Sequence, residues 1–429
     1  MKLSKYQLGE VASYEVSNID KKSKDGEKIV RLCNFTDVYS NWAITDSMKN
    51  KFMEASASDS QIEKFSLKKG QVAITKDSET RDDIGIPTYI ADDFKDVVLG
   101  YHCALITPDS TKVDGKYLNA FLNSNVAKKY FENNAVGSGM RFSLTLDTIK
   151  DILLYLPSLK DQKEIGNLFS LIDKKISLNQ EINRNLEALA RQLYDYWFVQ
   201  FDFRDENGRP YKSSGGKMVW NEKLKREIPE GWQIVSVNEV SESQRGVSFD
   251  KSDTTEVGIQ VLRGNNIENN HYVEDSNIVI IPKKLVNENQ KIKTHDIIMT
   301  MSSGSKEHVG KCMQFQFDSP HTFGAFLNRF RPLCHPHYLF LFLTSQLFKL
   351  KIRSLCNGTG INNLTYQNFH DIMLPLAPPS VMIKFDEMIC ATFDQIGKNE
   401  LEINHLNQQR NELLPLLMNG QVSIKLTGN

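Results

Sequence analysis

The chain has 429 residues, 40% hydrophobic, 24% charged and 10% aromatic, a globular composition that excludes a mostly disordered chain and predicts about two to four domains. Its 52 Lys and Arg balance 53 Asp and Glu to a formal charge of −1, so no global basic field exists and any nucleic-acid surface must be local. No apolar run approaches the roughly 18–20 residues that cross a bilayer, and the opening MKLSKYQLGE lacks the apolar core of a signal peptide, which predicts a cytoplasmic protein with no membrane partner.

In chain order, the first 150 or so residues carry short β-branched and aromatic runs between polar clusters: KIVRLC from Lys28, QVAIT from Gln71 and VVLGYHCALI from Val97, then a helical pattern, KYLNAFLNSNVAKKYFEN, from Lys116. Next, Ile165, Phe169, Ile172, Ile176, Asn179, Asn183, Leu186, Ala190, Leu193 and Trp197 recur at alternating spacings of four and three. That is a heptad seam on one long helix, predicted from Asp161 to Val199. A Gly- and Pro-containing junction follows. The runs IQVLRG and DIIMTM and the helical pattern HYLFLFLTSQLFKLKIRSL then return, before a second seam through Met382, Phe385, Ile389, Ile396, Asn399, Ile403, Leu406, Arg410, Leu413 and Leu417. Six cysteines, Cys33, Cys103, Cys312, Cys334, Cys356 and Cys390, form no C-x-x-C pair and are expected to be buried thiols.

The chain repeats itself. GSGMRFSLTLDTIKDILLYLP, from Gly137, aligns with GTGINNLTYQNFHDIMLPLAPP, from Gly358, with one residue gapped after Phe142. Glu181 to Asn183 matches Glu402 to Asn404, keeping the register near 221 residues, and weaker matches upstream drift up to 229. The predicted fold is therefore mixed α/β: two similar heads separated by two long helices that pair as an antiparallel coiled coil. The boundaries are a first head over 1–157, a helical spacer over 158–203, a linker over 204–228, a second head over 229–378 and a second spacer over 379–429. Asn179, Asn183, Asn399 and Arg410 on the seams either fix register or are ordinary interruptions.

Two heads on paired helices make a ruler, and DNA half-sites pose the matching problem of fixed separation and phase. The junction WFVQFDFRDENGRPYKSSGGKMVWNEKLKREIPEGW, from Trp197 to Trp232, and the helix entry LPSLKDQKEI, from Leu156, carry a family likeness. With the two-fold repeat they make the chain resemble the specificity subunits of type I restriction-modification enzymes, which hold two target-recognition domains separated by helical spacers. The second copy, PPSVMIKFDEM, lacks a match to Gln162, so the role of that glutamine in the second spacer is open. The resemblance implies a non-catalytic chain that recognises a bipartite site on double-stranded DNA and directs two methyltransferase subunits and restriction/translocase subunits. S-adenosylmethionine, ATP and Mg are then expected in those partners and no cofactor in this chain.

Bases are read by donors and acceptors on polar loops after strands. In the first head these are Arg31, Asn34, Thr36, then Thr75, Lys76, Ser78 and Arg81, then Tyr101 and His102. In the second they are Arg245, Arg263, Asn265, Asn266, then Ser302, Ser303, Ser305 and Lys306, then Asn328 and Arg329. The glycine-flanked segments add Ser138, Arg141 and Phe142 against Thr359, Asn362 and Asn363, with glycines suited to a phosphate approach or a tight turn. Tyr196, Trp197, Phe198 and Phe201 are expected to pack against a head or a partner, and the resemblance points the partner option to the methyltransferase.

No phosphate-binding G-x-x-x-x-G-K-[ST] loop and no Asn-Pro-Pro or Asp-Pro-Pro segment occurs. Asp109 with Asp114, and His335, His337, His321 and Cys334, fall short of nuclease and metal-site spacing. The rival readings are a specificity component of a related bipartite system outside type I, and a coiled-coil tether with two protein-binding heads. If the helices are the ruler, four residues inserted after Asn185 lengthen one by about 6 Å, close to one turn. Methylation mapping should then show the gap between half-sites growing by one or two base pairs, at about 3.4 Å each, with both half-sites unchanged; an unaltered gap in an active complex rejects the ruler.

Overall fold

A computed structural model describes residues 2–273, 278–355 and 362–424. Mutual contacts divide the chain into two compact units, Met1–Leu178 with Glu402–Asn429, and Asn179–Leu401. Each holds one head together with a segment of both long helices. Among the described residues no helix is long and apolar enough to cross a membrane.

In the first unit a five-stranded sheet runs in the order Ala12–Val16, Cys103–Pro108, Val72–Thr75, Pro87–Ile90, Ala43–Ile44. Its pairings are antiparallel except the last, which is parallel. The strand Val72–Thr75 is buried at every position because alternate side chains feed two cores. Val72 and Ile74 join Phe121, Phe131 and the first long helix, while Ala73 joins Val38, Leu99 and Leu105. A second sheet sets Lys28–Cys33 antiparallel to Met53–Ala57 and parallel to Val97–Leu99.

The second unit repeats this plan. Ser241–Arg245, Leu327–Pro332, Ile297–Thr300 and Cys312–Gln314 form an antiparallel sheet in the same order, and Ile259–Leu262 runs parallel to Thr322–Phe323. Each head closes by pairing its first and last strands, Ser4–Gln7 with Leu153–Leu156 and Gln233–Ser236 with Met373–Leu376. The helical patterns resolve into pairs, Gly115–Leu122 with Asn125–Asn134, and Pro336–Thr344 with Gln346–Leu355. The junction after the first helix includes a hairpin, Met218–Asn221 with Arg226–Pro229.

The long helices span Leu159–Tyr194, continued by a five-residue π turn Asp195–Val199, and Pro379–Met418. Most of each seam is buried, but Leu186, Leu193 and Ile403 are only partly so, and at the end of the second seam Leu414 is buried where the heptads predict Leu413. In the first unit Ile165, Phe169, Ile172 and Ile176 share a core with Leu406, Leu414 and Leu417; in the second, Ala190 and Trp197 share one with Phe385, Ile389 and Ile396. The helices run antiparallel within each unit. Lys175 pairs with Glu402 while Asp173 faces Arg410, and Asn183 bonds Asn399 while the Trp197 ring lies 5.6 Å from that of Phe385.

Burial corrects the repeat register on the helices. The Glu-Ile-Asn match equates Asn183 with Asn404, but Asn183 is buried and Asn404 exposed. Shifting by one residue equates Asn179 with Asn399 and Leu186 with Leu406, and restores both seams; a one-residue error rotates a side chain by about 100°. The same register answers the question of Gln162, whose counterpart is Met382. The buried Gln162 side chain accepts from the Asp114 N–H at 2.9 Å and donates to the Pro157 and Lys112 carbonyls at 3.0 and 3.1 Å, pinning the helix start to its head. Met382, 1% exposed, takes that place with apolar packing. Close approach also fixes Gly166, where a Cβ would lie 2.7 Å from Lys116 Cβ and 2.8 Å from the Tyr117 backbone nitrogen.

The expectation of six buried thiols needs correction. Cys33, Cys103 and Cys312 are buried, Cys334 and Cys390 are exposed, and Cys356 lies outside the described residues. Asp114 caps the helix Gly115–Leu122 and Asp109 accepts from Thr111, so both carboxylates have local structural partners. His337 stacks on Phe393 at 4.1 Å, and burial lowers its pKa to about 3; His335 meets Asp386 at 2.5 Å. Among the described residues no group of three or more His, Cys, Asp or Glu is arranged to hold a metal ion.

The seam asparagines form a hydrogen-bonded lock in the second unit. Gln395 donates to Asn399 at 2.8 Å, Asn399 donates to Asn183 at 2.7 Å, and Asn183 donates to the Ile396 carbonyl at 3.4 Å. Replacing Asn399 alone by Leu strands the buried Asn183 and should cost about 1–3 kcal/mol, whereas the double change Asn183→Leu with Asn399→Leu should recover most of it. Thermal melting of both variants checks this; equal losses in single and double variants would mean the pair does not act as a unit.

Candidate nucleic-acid interface

The two heads present equivalent loops at the ends of equivalent strands. In the first, Val72–Thr75 leads into a loop whose start, Asp77–Ser78, pairs with Arg141–Ser143, which in turn pairs with Val136–Ser138. Thr75 closes the loop from below: its buried hydroxyl accepts from the Ile86 N–H at 2.9 Å, and its backbone bonds Gly85 and Ile86. The hairpin needs its glycine, since Gly137 has φ +130° and a Cβ there would lie 2.1 Å from the Arg141 carbonyl oxygen. Gly137 thus allows the two strands to approach, and Gly139, at φ +67°, makes the turn between them.

A polar cluster forms where loop and hairpin meet. Asp77 receives Lys76 at 2.7 Å, Ser143 at 2.6 Å and His102 at 2.5 Å. Burial raises the Asp77 carboxyl, but bonds from Lys76, Ser143 and His102 outweigh it and hold it below its ordinary value. The Tyr101 and His102 rings lie 3.8 Å apart, and Arg81 sits 5.4 Å over the Phe142 ring. Lys76, Ser78, Arg81, Tyr101, His102, Ser138 and Arg141 therefore come together on one surface. Thr36 is exposed on the helix Phe35–Ser40, whose Tyr39 bonds Asp83 of the loop at 3.0 Å. The loop also carries Glu79, Asp82 and Asp83, which repel phosphates but can accept from a cytosine amino group.

In the second head Ser302–Ser303 pairs with Asn362–Asn363. Thr359 lies outside the described residues. Ser305 and Lys306 are exposed on the loop that follows, and Arg245 donates to the Ala325 carbonyl at 3.2 Å. The turn holding Arg263 and Asn265 sits beside this surface, since Gly264 approaches the Thr300 side chain and Leu262 bonds Gly324. Where the first head bonds Lys76 to His102, the second bonds Met301 to Phe326.

Several expected contacts are instead committed to structure. Thr75 and Asn34 are buried, the latter capping Phe35–Ser40. Arg31 bonds the Phe52 carbonyl and pairs with Glu54 at 3.2 Å. Asn266 accepts from the Arg263 N–H and donates to Val273. Asn328 bonds Ser243, and Arg329, 3% exposed, donates to the Asn289 carbonyl at 3.1 Å. Asn34, Thr75, Asn266, Asn328 and Arg329 are buried and close turns or bridge strands, whereas Arg31, its side chain 34% exposed, lies in a surface ion pair. Trp197, Phe198 and Phe201 are likewise buried among Phe385, Tyr338 and Trp232. Only Tyr196 of that group stays half-buried, lining an open groove of about 440 Å³ with Leu189, Gln192, Leu193, Asp195 and Gln200. Phe326, 67% exposed, and Met140, 72% exposed at the hairpin tip, also stand on these surfaces; large apolar side chains carry no sequence signal for exposure.

A family model described as "Type I restriction modification DNA specificity domain" matches residues 3–188 and again 229–414. The chain is 32% identical to the EcoKI specificity subunit of Escherichia coli (strain K12) over 206 residues, 47% of this chain and 44% of that one. It therefore spans less than half the length of that relative. It is 24% identical to the MjaIX specificity subunit of Methanocaldococcus jannaschii over 322 residues, 73% of this chain and 70% of that one. The crystal structure of an S subunit from M. genitalium aligns over 100% of this chain and 97% of that chain, with a TM-score of 0.54 and 14% identity, a likeness of fold.

The surface sets and the buried sets should separate in experiment. Lys76→Ala or Arg141→Ala should weaken recognition of one half of a DNA target, and Lys306→Ala or Phe326→Ala the other. The expected loss is ~1–3 kcal/mol for a side chain reading a base, or a salt slope shallower by about one for a phosphate contact. Arg329→Met should lower the melting temperature and leave the recognised sequence as it was. Binding titrations on duplexes altered in one half at a time, at two salt concentrations, decide each case.

Proposed function

The chain belongs to the type I restriction-modification DNA specificity family, and from that membership we propose that it recognises a bipartite site on double-stranded DNA, one half by each head. The observation that carries this reading is the duplication with divergence. Equivalent loops stand on equivalent strands, yet Lys76 and His102 in one head are replaced by Met301 and Phe326 in the other, and Phe142, paired with Ser78, by Asn362, paired with Ser303. Two similar scaffolds with different side chains at the same positions read two different half-sites.

The chain supplies binding and geometry, and partners supply chemistry. The heptad helices serve as the ruler. The first helix leaves Ile182, Leu189 and Tyr196 partly or largely exposed at seven-residue spacing, with the groove around Tyr196 beside them; this stripe docks methyltransferase subunits, two per chain in keeping with the internal repeat. Restriction/translocase subunits join that complex. S-adenosylmethionine binds the methyltransferase, and ATP and Mg serve the nuclease and translocase. The complex works in the cytoplasm, where its DNA is.

Replacing residues 5–156 by the equivalent head of a relative should change one half of the methylated sequence and leave the other intact. Co-purification from the host should bring a methyltransferase in about two-fold excess, the ratio that the internal repeat of the chain suggests. Methylation mapping in which both halves change together overturns the two-reader function, and S-adenosylmethionine turnover by the chain alone overturns the division of labour.

A further inference from the structure

Trp42 and His271 occupy one position of the repeated head. Each lies eight residues beyond the cap of a short helical turn, Asn34 or Arg263. Trp42 precedes Ala43–Ile44, which pairs with Pro87–Ile90. His271 opens His271–Tyr272, which packs beside Cys312–Gln314, the counterpart of Pro87–Ile90 in the strand order. Each also touches both long helices within its own unit. The Trp42 ring lies 6.2 Å from that of Phe169 on the first helix, and the Arg410 guanidinium of the second helix sits 5.4 Å over the indole. His271 places Nε2 at 2.7 Å from Glu187 on the first helix and Nδ1 at 3.2 Å from Glu400 on the second.

The chemistry of the two contacts differs. Arg410 stacks on an aromatic face and faces Asp173, whose carboxyl burial pushes up to about 6 against the pull of that arginine. His271 faces a carboxylate from each ring nitrogen, an arrangement that requires both nitrogens to donate. Hydrogen bonds donated to Glu187 and Glu400 accordingly hold the imidazole charged, raising its pKa to about 10 against the cost of burial.

The last strand of each head runs directly into a long helix, and Gln162 in one unit and Met382 in the other hold that entry to the head. Beyond the shared cores, Trp42 and His271 add a contact to both helices from segments remote in sequence from that entry, and so oppose rotation of the head about it. We propose that Trp42 and His271 are the positioning residues that hold each head at one angle on the helix pair, and so fix the separation and phase at which its half-site is presented. The proposal rests on the two-reader function above. One base pair of gap corresponds to about 3.4 Å and roughly 35° of rotation, so a small pivot is enough to shift the preferred gap.

The test uses the full chain with its methyltransferase partner and duplexes carrying both half-sites at the native gap and at one base pair more or fewer. His271→Ala removes both bonds and leaves Glu187 and Glu400 opposed without a cation. The preference for the native gap should fall about tenfold (~1.4 kcal/mol) with the sequence of both half-sites unchanged. His271→Arg, which returns a cation able to reach both carboxylates, should restore most of it. The double variant Glu187→Gln with Glu400→Gln keeps the imidazole and should reproduce the loss, so a folding defect of the alanine variant does not decide the matter. Trp42→Leu should relax the gap from the other head. A wild-type gap profile in the folded glutamine double variant and in Trp42→Leu overturns the positioning role. A wild-type complex indifferent to the gap overturns the two-reader function itself, and the proposal with it.

Discussion

Burial of the two heptad seams is the interaction on which both units depend. Neither long helix belongs to one head. Ile165, Phe169, Ile172 and Ile176 complete the first core together with Leu406, Leu414 and Leu417 from the distant end of the chain, and Phe385, Ile389 and Ile396 complete the second together with Ala190 and Trp197. A fully buried side chain of this kind contributes up to ~1.5–3 kcal/mol, so each seam outweighs any single polar contact. Cutting the chain between the repeats removes core residues from both units at once.

Polar groups then choose among the ways such seams could pair. An apolar stripe tolerates slips of a heptad, whereas a buried asparagine needs a partner at one place. Asn183 finds Asn399 and the Ile396 carbonyl, and its counterpart by the corrected register is Ile403, so the lock is built on one side of the repeat only. The start of each spacer shows the same divergence. Gln162 grips its head through three hydrogen bonds, and Met382 grips the other by packing. Two copies of one scaffold have reached equal burial by unlike chemistry, which is the freedom that lets the loops differ too.

The aromatic junction follows the same economy of position. Trp197, Phe198, Phe201 and Phe203 leave the first helix through a π turn and enter the second core beside Trp232 and Phe385. Phe201 adopts φ +63° there, and Arg226 from the hairpin caps the turn by donating to the Val199 carbonyl at 2.6 Å while covering the Phe201 ring at 4.5 Å. The segment between helix and second head is thus anchored at both ends by rings.

Much of this architecture was legible in the residue order, because periodicity is local. Alternating spacings of four and three mark a helical seam wherever it occurs, and repeated Gly, Leu-Thr and Asp-Ile words reveal a duplication without any structure. The heads' loops were legible as segments, since polar runs after strands can hardly lie anywhere else. Which side chains in those loops face outward was decided only in three dimensions. Asn34, Thr75, Asn266 and Arg329 are as polar as the residues that stay at the surface, but a cap, a loop closure or a neighbouring strand claims them first. The single-residue register of the helices, the inward course of Trp197 and Phe198, and the meeting of His271 with Glu187 and Glu400 likewise depend on groups dozens to hundreds of residues apart, and no local pattern encodes a partner at that distance.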